Sequence, residues 1–222
     1  MAEPVCVGVV DSGWAAELGD RVQGARSFVA EGGDINAQDR IGHGSRVLQA
    51  IAALAPDARF CVAQVFGEQL RTDGETVALA LDWLVDQGAA VVNLSLGVRQ
   101  DRAPLRAACE RALDRGCVVV ASTPARGEPV FPAAYPGVIR VMGDARCAPG
   151  QHSALLLPHA DFGACVLPPG GDRAQAGASM GSAHLSGHVA ALMAAGVTRE
   201  RSAIWQALVD SAAFHGPERR TS

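Results

Sequence analysis

Short apolar, β-branched runs recur along the chain, from Val5 to Val10, Arg59 to Phe66, Ala90 to Ser95, Cys117 to Ser122 and Val138 to Met142. Runs of this length with few polar residues read as strands buried on both faces. Between them, Thr76 to Gln87 and Leu105 to Arg115 carry apolar residues at helical spacing and stop at Gly88 and Gly116, which suit helix C-caps. Two later segments, Ser179 to Ala195 and Arg199 to Ser211, continue the helical pattern. Strands alternating with helices predict an α/β fold, a mainly parallel sheet with helices on both faces. Ligands of such sheets sit beyond the carboxyl ends of the strands. Asp11, Ser95 and the loop of residues 122–126 fall on that edge. No repeat or linker divides the chain, so residues 1–222 read as one domain with a loose tail at 216–222.

Composition narrows the function. Hydrophobic residues make up 49% and charged residues 19%, which excludes a disordered or coiled-coil chain. Nineteen basic residues against 23 acidic ones leave a net charge of -4, and no lysine or arginine run forms a track for phosphates, so nucleic acid is excluded as a partner. No apolar stretch is long enough to span a bilayer. The opening segment MAEPVCVGVVDSG has acid where a signal peptide carries base, and no cleavage site follows its apolar run. Cys6, Cys61, Cys109, Cys117, Cys147 and Cys165 lie far apart without a C-x-x-C pair, as buried free thiols do. The expectation is a cytoplasmic protein.

Three separated motifs hold the candidate chemistry: Val-Val-Asp11-Ser-Gly, Gly-His43-Gly-Ser, and Gly-Ala-Ser179-Met-Gly-Ser-Ala-His184. A serine hydroxyl needs an imidazole to take its proton, and the imidazole needs a carboxylate to fix its tautomer and stabilise its charged form. Asp11, His43 and Ser179 can fill these roles. Ser179 follows a glycine turn and opens a helix, so its backbone N–H faces the place where an oxyanion would form. Each motif also has a plainer reading. Asp11 can end a strand, His43 can cap a helix, and Ser179 can be an N-cap. Asp34 and Asp39 are rival acids but follow no buried strand, and read as loop residues. His184 and His188 have a metal-ligand spacing without the glutamate of H-E-x-x-H or a third ligand, so a structural role is expected. His152, His159 and His215 read as loop or polar positions, Cys165 as a buried thiol, and Trp83 and Trp205 as core.

Together and in this order the motifs resemble the subtilisin-like serine proteases, or subtilases, from about Val5 to Ala213. Asp11-Ser-Gly resembles the family's aspartate motif, Gly-His43-Gly-Ser-Arg-Val its histidine motif, and Gly-Ala-Ser179-Met-Gly-Ser-Ala-His184 its G-T-S-M-A-x-P-H serine motif. Val92-Asn-Leu-Ser95-Leu-Gly97 is similar to the strand that holds extended substrate, and Tyr135-Pro-Gly-Val-Ile to a tyrosine-proline turn. The resemblance implies a subtilisin-like three-layer sandwich and hydrolysis of a peptide or protein precursor through an acyl-enzyme on Ser179. It assigns substrate contacts to Ser95, Leu96, Gly97, Ser122, Thr123, Pro124 and Met142.

The departures shape the expected function. Read without a gap, the family's oxyanion asparagine falls on Ala125, and loss of such a donor costs about a hundred- to a thousandfold in turnover. Thr123, Ser122 or Arg126 on the same loop could donate instead, and Thr123 is the first choice. Ala178 and Ala183 replace the threonine before the nucleophile and the proline after it. Met142 stands where the resemblance implies a glycine at the floor of the specificity pocket, which implies cleavage after Gly, Ala or Ser. The chain is short for the family, with no sign of a prodomain, and lacks a dense oxygen-ligand cluster, so neither calcium nor any other metal or cofactor is expected. A minimal, slow enzyme of this type suits removal of a leader from one precursor. The rival reading is a binding module that keeps the groove without turnover.

Overall fold

In the computed structural model, which describes residues 3–29 and 36–218, nine strands form one sheet in the order β2-β3-β1-β4-β5-β6-β8-β7-β9. The strands are β1 (Cys6–Asp11), β2 (Val22–Ser27), β3 (Arg59–Gln64), β4 (Val91–Leu94), β5 (Val118–Ser122), β6 (Ile139–Gly143), β7 (His152–Leu157), β8 (Ala160–Ala164) and β9 (Phe214–His215). All neighbours are parallel except the β7/β8 pair. Five helices cover the sheet: α1 (His43–Leu54), α2 (Gly74–Asp86), α3 (Ala103–Asp114), α4 (Ala178–Ala194) and α5 (Arg201–Asp210). The expected α/β sandwich is what forms.

The central strands are apolar throughout because both of their faces are covered. Val7, Val9, Phe60, Val62, Val120 and Val141 pack with α1, α4 and α5 on one side, while Val10, Ala63, Val92, Leu94, Val119 and Ala121 pack with α2 and α3 on the other. Trp205 stacks edge-on against Phe162 in the first layer, and Trp83 packs against the second. α1 and α4 lie against each other, and Gly187 lets them approach: a Cβ there would sit 2.9 Å from Leu54 Cβ. That contact aligns the N-terminal ends of the two helices at the carboxyl edge of the sheet.

Several expectations need correction. Residues 43–54 carry a full amphipathic helix, with Val47, Leu48 and Ile51 buried, behind what the sequence displayed as a histidine motif. β2, β7, β8 and β9 were not anticipated, and His152 is a buried β7 residue rather than a loop residue. The tail is anchored at its start, where Gly216 N–H donates to Ala154 and its carbonyl accepts from Arg146. Residues 219–222 and Asp34 lie outside the described residues.

Candidate active site

β1 delivers Asp11 to the carboxyl edge, fully buried. Its Oδ1 accepts from the Ser12 N–H at 2.7 Å and lies 2.7 Å from His43 Nδ1. Oδ2 has no partner. His43 is the first residue of α1, and the glycine after it is a packing requirement. A Cβ on Gly44 would lie 2.3 Å from the Gly13 carbonyl oxygen, so only glycine lets α1 begin this close to the Asp11-Ser-Gly turn. Burial alone would lower the His43 pKa, but the hydrogen bond to Asp11 and the charge of that carboxylate outweigh burial. Arg46 opposes and Asp39 assists, and the net shift is upward.

Asp39, expected to be an ordinary loop residue, is the joint between these two motifs. Its Oδ1 accepts from Ser12 Oγ at 2.8 Å, from the Ile41 N–H at 3.0 Å and from the Gly42 N–H at 2.7 Å. Its Oδ2 accepts from the Ser45 N–H at 2.8 Å and from Ser45 Oγ at 2.6 Å. Burial opposes its charge, yet the bonds from Ser45, Ser12 and Gly42 hold its carboxyl below the usual range. The carboxylate satisfies the free N–H groups at the start of α1 and so sets the pose of His43. An acidic residue four positions before a Gly-His-Gly helix start was the available signal.

Ser179 lies in the first turn of α4, where its N–H has no intrahelical acceptor. Its Oγ donates to the Ser95 carbonyl at 3.2 Å and makes no hydrogen bond to His43. A buried polar ladder holds this turn against the end of β4. Asn93 Nδ2 donates to Ser95 Oγ at 2.9 Å, and Ser95 Oγ lies 3.0 Å from both the Ser179 carbonyl and Ser182 Oγ. Ser186 Oγ donates to Asn93 Oδ1 at 3.0 Å. Asn93 and Ser95 share one face of β4, and Ser179, Ser182 and Ser186 share one face of α4. That double periodicity was present in the sequence but unread.

His43 and Ser179 open onto one cleft of about 870 Å³, lined also by Phe66, Leu70, Arg71, Thr72, Ser95, Leu96, Gly97, Val98 and Arg99. Of the residues assigned to substrate by resemblance, Ser95, Leu96 and Gly97 therefore line the cleft. Ser122, Thr123, Pro124 and Met142 do not. Ser122 Oγ turns to the Leu96 carbonyl at 3.4 Å, the Thr123 N–H is committed to Val141 at 2.8 Å, and the Met142 carbonyl packs against Gly181 behind the nucleophile. Ala125 is exposed and brings no polar side chain. Among the described residues no cluster of three or more His, Cys, Asp or Glu side chains could hold a metal. His184 Nε2 bonds the Leu167 carbonyl at 2.9 Å, which ties α4 to the segment after β8.

The subtilase family model matches residues 3–221. The chain belongs to the subtilase family. It is 30% identical over 220 residues to subtilisin BL of Lederbergia lenta, covering 90% of this chain and 78% of that protein. The alkaline protease of Alkalihalobacillus alcalophilus is 29% identical over 90% of this chain, and the match spans about half of its length, 55%. Among solved structures, the epidermin leader peptide processing serine protease of Staphylococcus aureus has a TM-score of 0.75 at 17% identity, covering 93% of this chain and 69% of that one. A psychrophilic protease, S41, has a TM-score of 0.68 at 20% identity, covering 92% of this chain and 81% of its own. The subtilase described here is thus a serine endopeptidase of the subtilisin type.

Proposed function

We propose that this subtilase is an intracellular endopeptidase that removes a leader from a peptide or protein precursor, with Asp11, His43 and Ser179 as its catalytic groups. The observation that carries the reading is His43, bonded to Asp11, sharing a cleft with Ser179 beside a Gly97 whose backbone N–H and carbonyl bond to no described residue. An extended peptide can pair with Gly97 as an added strand. Ser179 Oγ then turns from the Ser95 carbonyl and attacks the scissile carbonyl carbon, while His43 Nε2 takes its proton. The resulting oxyanion is held by the Ser179 N–H. His43 passes the proton to the leaving amine, the C–N bond breaks, and water, deprotonated by the same imidazole, releases the acyl group.

The second oxyanion donor in this reading is the Thr123 hydroxyl, which bonds no other described residue and follows Ser122, whose own hydroxyl reaches the carbonyl of the cleft residue Leu96. A weaker donor in place of an asparagine suits an enzyme made for one precursor. Six free cysteines, five of them buried, support a reducing compartment. The leader-processing role in the name of the Staphylococcus aureus neighbour points the same way. A fluorophosphonate probe should phosphonylate Ser179 in the wild type, not in Ser179→Ala, and Thr123→Val should lower kcat about tenfold or more with KM little changed. An unmodified Ser179, or an unchanged kcat in Thr123→Val, would defeat the respective assignment.

A further inference from the structure

Beyond Ser179 the cleft runs between Leu70, Arg71 and Thr72 on one rim and Gly97, Val98 and Arg99 on the other, over a buried apolar floor of Phe66 and Leu96. Arg71 and Arg99 are exposed and their side chains form no ion pair or hydrogen bond with any described residue. Six other arginines are matched to carboxylates: Arg40 with Glu68, Arg106 with Asp101, Arg111 with Asp82, Arg115 with Asp86, Arg140 with Asp161, and Arg146 with Asp144. The carboxylates next to the rim are already engaged. Glu68 pairs with Arg40, Asp73 caps α2 by accepting the Thr76 N–H at 2.7 Å, and Asp101 accepts from the Tyr135 hydroxyl at 2.9 Å as well as from Arg106. The protein carries a net charge of -4, yet this cleft has two cations left over. Thr72 Oγ1, also lining the cleft, is buried with no hydrogen-bond partner among the described residues, which leaves a hydrogen bond for a ligand to make.

Substrate geometry fixes where these groups act. The Ser95 carbonyl accepts from the Ser179 hydroxyl at 3.2 Å, so a peptide laid antiparallel along this segment would have its scissile residue at Ser95 and would run upstream past Gly97 toward Arg99. Each residue of the rim then faces one residue of the peptide, which advances roughly 3.3 Å per residue, and Arg99 falls beside roughly the third to fifth residue before the scissile bond. Resting on the protease reading above, we infer that the upstream half of this groove selects peptides carrying Asp or Glu at the third to fifth residue before the cleaved bond.

The pairs are solvent-exposed, so the discrimination is modest: roughly three- to tenfold in kcat/KM for Glu over Gln at the best position, and more over Lys. Matched fluorogenic peptides with Glu, Gln or Lys at each of these positions test it. Expected are a Glu preference that shrinks at about 0.5 M salt and reverses toward Lys in Arg71→Glu/Arg99→Glu. The same peptides, dye-labelled, are titrated onto Ser179→Ala, so that selection is read without turnover. Equal rates, a Lys preference in the wild type, or equal affinity for the Glu and Lys peptides would overturn the inference. If Ser179 still reacts with a fluorophosphonate in that case, the protease reading stands. If instead Ser179 is inert while the Glu peptides bind preferentially, the proteolytic reading falls and the acidic selectivity remains.

Discussion

At His43, burial and a neighbouring carboxylate pull in opposite directions, and the carboxylate wins. Burial lowers the imidazole pKa, the hydrogen bond to Asp11 and its charge raise it by more, and the net value lies above the ordinary 6.5. A base works only when unprotonated, so kcat/KM should fall about tenfold per pH unit below the His43 value, on an acid limb placed above pH 6.5. Asp11→Asn removes the upward pull and also favours the wrong tautomer. It should move the limb to lower pH and reduce kcat by about 10⁴-fold at its plateau. A full pH profile of both proteins decides the matter. An acid limb at the same pH in each would mean that Asp11 does not govern His43. The motif residues were legible because chemistry restricts their types, whereas Asp39 was harder to read: its place four residues before His43 suggests a helix cap at most, while its importance lies in five bonds that fold the Ser12 turn onto α1.

The elements that hold the nucleophile have a polar seam in place of an apolar one. Asn93 is fully buried on β4 against α4, and its amide bonds both the Ser95 and the Ser186 hydroxyls. Asn93→Ala leaves both hydroxyls short of a partner and should cost about 1–3 kcal/mol. It should also loosen the Ser179 turn, so kcat falls more than KM rises. Thermal melts and steady-state kinetics on one preparation read both effects, and a destabilised variant with wild-type kcat would separate the seam from the nucleophile. Strands with both faces covered announced themselves as apolar runs, and α2 and α3 through their spacing and their terminal glycines. β2, Val-Gln-Gly-Ala-Arg-Ser, did not, because an edge strand partly open to solvent needs no apolar pattern. β7 and β8 were missed because their alternation is broken where the register shifts between Ala154 and Leu157.

The whole molecule has a weakness toward acid written into three histidines. His152 of β7 lies with its ring 4.5 Å from that of His188 on α4, His184 sits one turn earlier on the same helix, and His188 Nε2 is buried with no hydrogen-bond partner among the described residues. Burial lowers all three. His152 and His184 recover part of the loss through bonds to the Leu208 and Leu167 carbonyls, while His188, with His152 and His184 beside it, falls to about 3. In the unfolded chain each titrates near 6.5. Between the folded and unfolded values the unfolded state therefore binds more protons, so stability that is present above pH 6.5 is lost as pH falls. His43 has the opposite sign, since its raised value adds stability below pH 6.5 that is lost as pH rises through the folded value. Asp39 and Asp144, held low in the fold, begin to cost stability only near the carboxylate range. The window from pH 6.5 to 5 thus isolates the histidines. His188→Leu keeps an apolar filling against His152 and removes the proton acceptor. It should leave stability at pH 7.5 near wild type and flatten the acid slope by about 1.4 kcal/mol per pH unit. Urea titrations of both proteins at pH 7.5, 6.5 and 5.5 measure that slope directly. Parallel lines for the two would place the acid sensitivity elsewhere, with His152 and His184 next in line.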